Sequence, residues 1–239
     1  MSEIAPETPE SSGSTEQSLL EAAIELYGRF GTQAVSLNQI RKHAEVANEA
    51  AIRYYFRNKQ GLLSRSLDHV AARLLPGLNA LAERLESAES EPQVRSILMH
   101  FGMPFASLYE VDKNSVSFLG ALIHEEGEEG QRLLAEVFGP TILRYEKLLA
   151  RALPDKAPEQ IHVHFFLAIN LLIHGLSDIG ILRFMPSVSQ QPKEHFVRAE
   201  ILVSAFLSFV QAGVCVNDSS AEQEDGLGSL LASLLSDSP

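Results

Sequence analysis

Residues able to do chemistry fall into two groups in this sequence of 239 residues. The first group is a set of imidazoles and carboxylates in its second half: His124 beside Glu125 and Glu126, and His174 four positions before Asp178. Either set would suit acid–base work, and His174 with Asp178, one helical turn apart, could share a metal ion. Nothing completes such a centre. No nucleophile stands at a spacing that one of these bases could serve. His162 and His164 diverge by about 200° around a helix and cannot hold one ion between them. The one cysteine, Cys215, excludes a multi-cysteine zinc site and an internal disulfide framework. No catalytic residue, metal or cofactor is therefore expected, and a helical enzyme is the weakest reading.

The second group lies between positions 36 and 59: Ser36, Asn38, Asn48, Arg53, Tyr54, Tyr55 and Lys59. These side chains suit double-stranded DNA. Arg pairs bidentately with guanine and Asn with adenine, while Ser, Tyr and Lys reach phosphate oxygens. Lys59 opens a helix, where free backbone N–H groups already favour an anion. The net charge of −12 looks adverse, but it is unevenly spread. Residues 15–66 carry seven basic side chains against five acidic, with five of the basic ones inside 41–59. Residues 67–239 carry 12 basic against 23 acidic. That asymmetry directs nucleic-acid contact to the N-terminal end.

Helical punctuation places these residues. Ser14 with Gln17 forms a capping-box pattern, followed by Leu20, Ala23, Ile24, Tyr27 and Phe30 at spacings of three and four, and Gly31 ends the run. Ser36 with Gln39 repeats the box, with Leu37, Ile40 and Ala44 facing inward. The segment Glu45–Asn48 is a tight connection, and Asn48 caps a helix carrying Ala51, Ile52 and Tyr55. Asn58 then caps a long amphipathic segment from Lys59 to Pro76. Two helices joined by a tight turn have helix-turn-helix geometry, the second helix lying in the major groove.

Further helices are expected at 77–87, 92–109 (bent at Pro104), 114–125, 128–153, 158–182 and 193–213. Gly127, Gly130, Pro154, Pro158, Pro186 and Pro192 punctuate them. Alternating strand patterns are absent. The fold expected is all-α, with a three-helix helix-turn-helix DNA-binding domain over 14–62 and a larger helical ligand-binding and dimerisation domain over 63–214. Residues 1–13, rich in Pro, Ser and Glu, read as a disordered arm, and 215–239 as an acidic tail with a short helix at 227–236. No basic leader with an apolar core opens the chain, and Asn170, His174 and Asp178 interrupt its longest apolar stretch. A cytoplasmic chain without membrane contact is expected.

The runs Ser14-Thr15 to Phe30-Gly31, Val35-Ser36-Leu37-Asn38-Gln39-Ile40 and Ile52-Arg53-Tyr54-Tyr55-Phe56-Arg57-Asn58-Lys59-Gln60-Gly61-Leu62-Leu63 resemble the DNA-binding head of the tetracycline-repressor (TetR) family. The aromatic-aromatic-Phe-x-x-Lys ending is the most specific part. Beyond residue 63 the resemblance is architectural only. It implies a homodimer that binds a palindromic operator and releases it when a small-molecule effector enters the C-terminal body. By position, Arg53, Tyr54 and Tyr55 match the base- and phosphate-contacting end of the recognition helix. Lys59 matches the phosphate-contacting lysine, and Phe56 the aromatic that pins the helix. Two departures stand out. The stretch from Ala44 to Ile52 is one residue longer than in most members, which weakens the match of Asn48 and Glu49. Thr32 also stands where an aromatic often follows the glycine, a difference that concerns packing more than DNA choice.

The resemblance also implies a four-helix dimer interface from the last two major helices, here 158–182 and 193–213. The first of these is apolar nearly all round, with a polar stripe of Asn170, His174 and Asp178. The stripe either fixes register at the dimer interface or its border, the favoured reading, or lines an effector pocket. Pocket candidates are the bulky residues of the central helices, Phe105, Tyr109, Phe118, Leu122, Phe138, Tyr145 and Phe166, with Asn170 and His174. Such a lining suits a lipophilic or aromatic effector. Repression is the expected mode, an activator or a regulator that receives a partner protein being the alternatives.

Overall fold

Local capping decides where the chain turns, and tertiary burial decides which helices run on. The computed structural model describes residues 9–184 and 199–215. They form α1 (Pro9–Phe30), α2 (Leu37–His43), α3 (Ala51–Phe56), α4 (Lys59–Glu86), α5 (Val94–Val111), α6 (Lys113–Glu125), α7 (Gly127–Ala152), α8 (Pro158–Ser177) and α9 (Ala199–Cys215), with a short 3-10 stretch, Ile179–Phe184, after α8. No strand occurs among the described residues, and the fold is all-α as expected. The prolines at 186 and 192, the start of the helix expected at 193–213, residues 1–8 of the expected arm and the tail from 216 with its 227–236 helix lie outside the described residues.

Four boundaries differ from the punctuation, the plainest being that the helix expected at 158–182 ends at Ser177 and passes into the 3-10 stretch. Helix α1 begins at Pro9, so Ser14 sits inside it and its carbonyl accepts the Ser18 hydroxyl at 2.9 Å. Proline at a helix start gives up only an N–H that would be orphaned anyway. Asn48 does not cap α3. Its Oδ1 turns back to accept the Ala50 N–H at 2.9 Å, and α3 starts at Ala51 with no side-chain cap. Helix α4 runs straight through Pro76, merging with the segment expected at 77–87. Proline forfeits one bond to the Ala72 carbonyl. Burial of Leu74, Leu78, Ala82 and Leu85 along one continuous stripe outweighs that loss.

Other signals hold. Gly31, at φ +84°, ends α1 as a left-handed residue. Ser36 Oγ accepts the Gln39 N–H at 3.3 Å while Gln39 Oε1 accepts the Ser36 N–H at 2.8 Å, a complete capping box. Ser36→Ala is expected to cost about 1 kcal/mol, read as a fall in the urea midpoint with unchanged slope.

The body packs α5 to α9 with the second half of α4. At its centre Phe101 meets Tyr145 edge-on at 5.0 Å and Phe165 at 4.9 Å. The buried Tyr145 hydroxyl donates to the Leu78 carbonyl at 2.9 Å. Helix α8 is long and apolar enough to cross a membrane by length and composition alone, yet it packs against α5, α6, α7 and α9. Head and body join where α1 lies along α6. Tyr27 stacks on Phe118 at 6.0 Å, and a Cβ on Gly28 would stand 2.3 Å from the Asn114 carbonyl oxygen. Only glycine permits that approach.

Candidate nucleic-acid interface and effector cavity

Helix α3 is amphipathic over six residues. Ala51, Ile52 and Phe56 are buried in the head, which holds the helix in place, and Arg53 and Tyr54 point out. Tyr54 is 76% exposed, and Tyr55 is half-buried, its ring edge-on to Tyr54 at 4.9 Å. Arg53 shares a groove with Asn38, Arg41, Arg57, Asn58 and Lys59, four cations from the ends of α2, α3 and α4 against one carboxylate, Glu49, which lies 3.7 Å from Arg41. Such a groove can seat the phosphates flanking a base-reading helix.

Not every member of the basic cluster faces outward. Arg41, whose side chain is 14% exposed, donates to the Val46 carbonyl at 2.8 Å, the Ala47 carbonyl at 3.3 Å and Asn38 Oδ1 at 3.0 Å. It is a strut for the turn between α2 and α3, and it also occupies the oxygen of Asn38. The Ser36 hydroxyl, which donates to Gln39 Oε1 at 2.7 Å, is likewise engaged in its cap. Asn48 is exposed at the edge of the turn.

The junction of α3 and α4 is unusually tight. Arg57 has φ +68° and ψ −52°, and the Asn58 N–H donates to the Phe56 carbonyl at 2.8 Å, a one-residue reversal. Positive φ on a non-glycine residue costs on the order of 1–3 kcal/mol and persists only where the surroundings impose it. Here Asn58 caps α4 by accepting the Gly61 N–H at 2.8 Å, and the bare Cα of Gly61 lies against the Phe56 carbonyl. Lys59, in the first turn, is thereby held beside the end of α3.

Lys59 already has a partner. Its Nζ lies 3.6 Å from Glu126 Oε1, which also accepts the Gln33 amide at 2.9 Å. Glu125 Oε2 accepts the Gln33 N–H at 2.9 Å and the buried Thr32 hydroxyl at 3.2 Å. These carboxylates, placed by sequence with His124 as an acid–base set, instead clasp the head to the end of α6. Burial, with the Glu126 charge adding to it, raises the Tyr27 hydroxyl above the usual phenol range and keeps it neutral.

In the body, a cavity of about 320 Å³ lies among α4 to α8. Phe105, Phe138, Phe166 and Asn170 line it, as do Phe101 and Ile123, and its other uncharged polar contributions are Gln131 and Thr141. No ionisable side chain is on its wall. Five pocket candidates lie off it. Phe118 stacks against Tyr27, Tyr145 belongs to the aromatic core, and Tyr109 packs against that core. Leu122 turns its carbonyl to the close approach of Gly130, and His174 meets His124 across the seam of α6 and α8. The polar stripe thus divides: Asn170 faces the cavity, His174 the seam, and Asp178 is exposed at the end of α8. His162 pairs with Glu146 at 2.7 Å and His164 contacts the buried Lys156 at 3.2 Å. Among the described residues no three His, Cys, Asp or Glu converge as a metal would require. Val163, Leu167 and Leu171 of α8 and Phe209 of α9 leave large apolar surface exposed.

Residues 19–65 match the family model for bacterial regulatory proteins of the tetR family, and residues 99–213 match that for the tetracyclin repressor-like C-terminal domain. No curated protein matches. Among solved structures, a TetR-family transcriptional regulator from Bordetella parapertussis 12822 aligns with TM-score 0.59 at 16% identity, covering 82% of this chain and 93% of that one. NalD, the secondary repressor of the MexAB-OprM multidrug efflux pump in Pseudomonas aeruginosa, aligns with TM-score 0.53 at 22% identity, covering 85% and 97%. A TerR/AcrR-family regulator from Aquifex aeolicus VF5 gives 0.51 at 16% identity, covering 83% and 98%. With the head and the body each matching a model of the same family, on an all-helical frame shared with its solved members, this chain belongs to the TetR family of DNA-binding transcriptional regulators.

Proposed function

We propose that the chain is a homodimeric repressor that binds a palindromic operator through α3 and releases it when a neutral lipophilic or aromatic molecule fills the body cavity. The observation that carries this reading is the course of α6. Leu119 and Ile123 wall the cavity, and the next turn supplies Glu125 and Glu126 to the head. A molecule that shifts this helix acts on both. The wall offers apolar surface with Gln131, Thr141 and Asn170 as uncharged anchors, so a charged effector would be buried without a counter-ion at high cost. About 3 kcal/mol of coupling would change operator affinity roughly 150-fold.

In this reading Arg53 and Tyr54 touch base edges and phosphates, Tyr55 and Lys59 hold the backbone, and Ser36, Asn38 and Asn48 lie at the flank. The head comprises 14–62 and the body 63–214. The exposed apolar faces of α8 and α9 pair with a second copy, setting the two recognition helices about 34 Å apart. The test is selection of genomic fragments at low salt with the purified chain. Enrichment of a palindromic sequence is expected, and recovery of unselected DNA would end the proposal. On the enriched fragment, Arg53→Ala is expected to weaken binding by about 1–3 kcal/mol, roughly 5- to 150-fold, measured by fluorescence anisotropy. Unchanged affinity would mean that α3 is not the reading helix.

A further inference from the structure

Four consecutive residues at the end of α6 reach three places: the cavity, α8 and the head. Ile123 goes to the cavity wall, His124 to His174 of α8, Glu125 to Thr32 and Gln33, and Glu126 to Gln33 and Lys59. The imidazole contact sits between the cavity and the clasp on the head. Its Nε2 atoms are 2.9 Å apart, with ring centroids at 4.4 Å and planes inclined by 38°. Gly120, one turn earlier on α6, makes room for the ring, since a Cβ there would stand 3.3 Å from His174 Cε1.

We propose that the His124–His174 pair is a proton-operated catch: it holds α6 to α8 with up to one added proton, and a second proton opens it. This rests on the regulator reading above, because the consequence is loss of the hold on Thr32, Gln33 and Lys59. The logic is that of two imidazoles facing through one nitrogen each. In the neutral pair one Nε2 carries the hydrogen and the other accepts it. A first added proton goes to the donor ring's far nitrogen, and the contact becomes charge-assisted. A second must sit on the accepting Nε2, placing two hydrogens and two positive charges within 2.9 Å. The geometry therefore accommodates the first added proton and opposes the second.

The surrounding charges do not neutralise the second proton. Asp178, on α8 itself, is the anion whose charge acts on His174. On α6, Glu125 and Glu126 are engaged by the head, and on α7 Glu129 is paired with Arg132, with Glu128 exposed beside it. Glu25 of α1 is paired with Arg29 and His43, His100 of α5 is bonded to the Ser96 carbonyl, and α9 from Val203 to Val214 has no ionisable side chain. Burial, then the charge of His124, lowers His174 below the ordinary imidazole range, and Asp178 only partly opposes them. The unfolded chain, with its imidazole near about 6.5, binds more protons in that window. Stability therefore falls as pH drops through it and levels off once both states are protonated.

The test is hydrogen exchange on the full chain at about pH 7.5 and about pH 5, corrected for intrinsic rates, in buffer with a chelator so that no metal bridges the rings. In the wild type, peptides over 113–126 and 158–177 are expected to lose protection by about tenfold or more on acidification. His174→Asn and His124→Gln, which cannot take the second proton, should change by less than about twofold. Retained protection in the wild type at acid pH, or an equal loss in both variants, would overturn the proposal. Exchange is read on the protein alone, so failure to select DNA would sink the regulator reading without deciding the catch. On a selected fragment, wild-type affinity should fall over the same interval and the affinity of His174→Asn should not.

Discussion

Phe165→Ala is expected to lower the stability of this chain by about 3–5 kcal/mol, the range for truncating a fully buried aromatic. Phe165 is wholly buried and packs against Phe101 at 4.9 Å and Tyr145 at 6.4 Å. Those neighbours belong to two different helices, α5 and α7, and cannot collapse together into the vacated space, so most of the void should persist. At roughly 2–4 °C per kcal/mol for a chain of this size, the thermal midpoint should fall by roughly 6–20 °C. Because Phe101 also lines the body cavity, the void should extend it. A dry apolar cavity binds small aromatic molecules, so benzene should restore part of the lost midpoint in the variant and do less for the wild type. Circular-dichroism melts with and without benzene measure both effects. A loss below about 1 kcal/mol would show that the centre of the body is not packed as described.

Gly28→Ala is the second large effect, and it acts at the joint rather than in the core. An added Cβ would meet the Asn114 carbonyl oxygen at 2.3 Å and the Asn114 C and Cα atoms at 2.9 Å. All three are backbone atoms with no flexible end to swing away, so α1 and α6 must part. Overpacking of this kind costs about 1–3 kcal/mol. The displacement also pulls on the bonds from Thr32 and Gln33 to Glu125, so under the function proposed above operator affinity and effector response should change together. Gly13→Ala is the matched control: it is exposed inside α1, the same helix, with nothing beyond its chain neighbours within 4 Å of the added methyl. There the substitution should be neutral or stabilising by up to about 1 kcal/mol, through helix propensity. If the two variants melt alike, the close approach of α1 to α6 is not what joins head to body.

The sequence by itself determined the all-helical class, the caps that open α2 and α4, and which residues of α3 turn inward. Those features rest on interactions within a few residues, such as the Ser36 box, the Asn58 cap and the inward spacing of Ile52 and Phe56. Where local signals misplaced a boundary, at Ser14, Asn48 and Pro76, a longer-range gain or a competing short turn had won. The cavity wall was only half legible. Phe105 and Phe138 line it while Phe118 and Tyr145 do not, yet all are bulky apolar side chains on central helices. Burial looks the same in sequence whether the far side is another ring or empty space. The link between the two ends was not legible at all. Glu125 meets Thr32 across 93 positions and His124 meets His174 across 50. Helical periodicity says which face a residue shares, but only packing α6 against both α1 and α8 brings those side chains together.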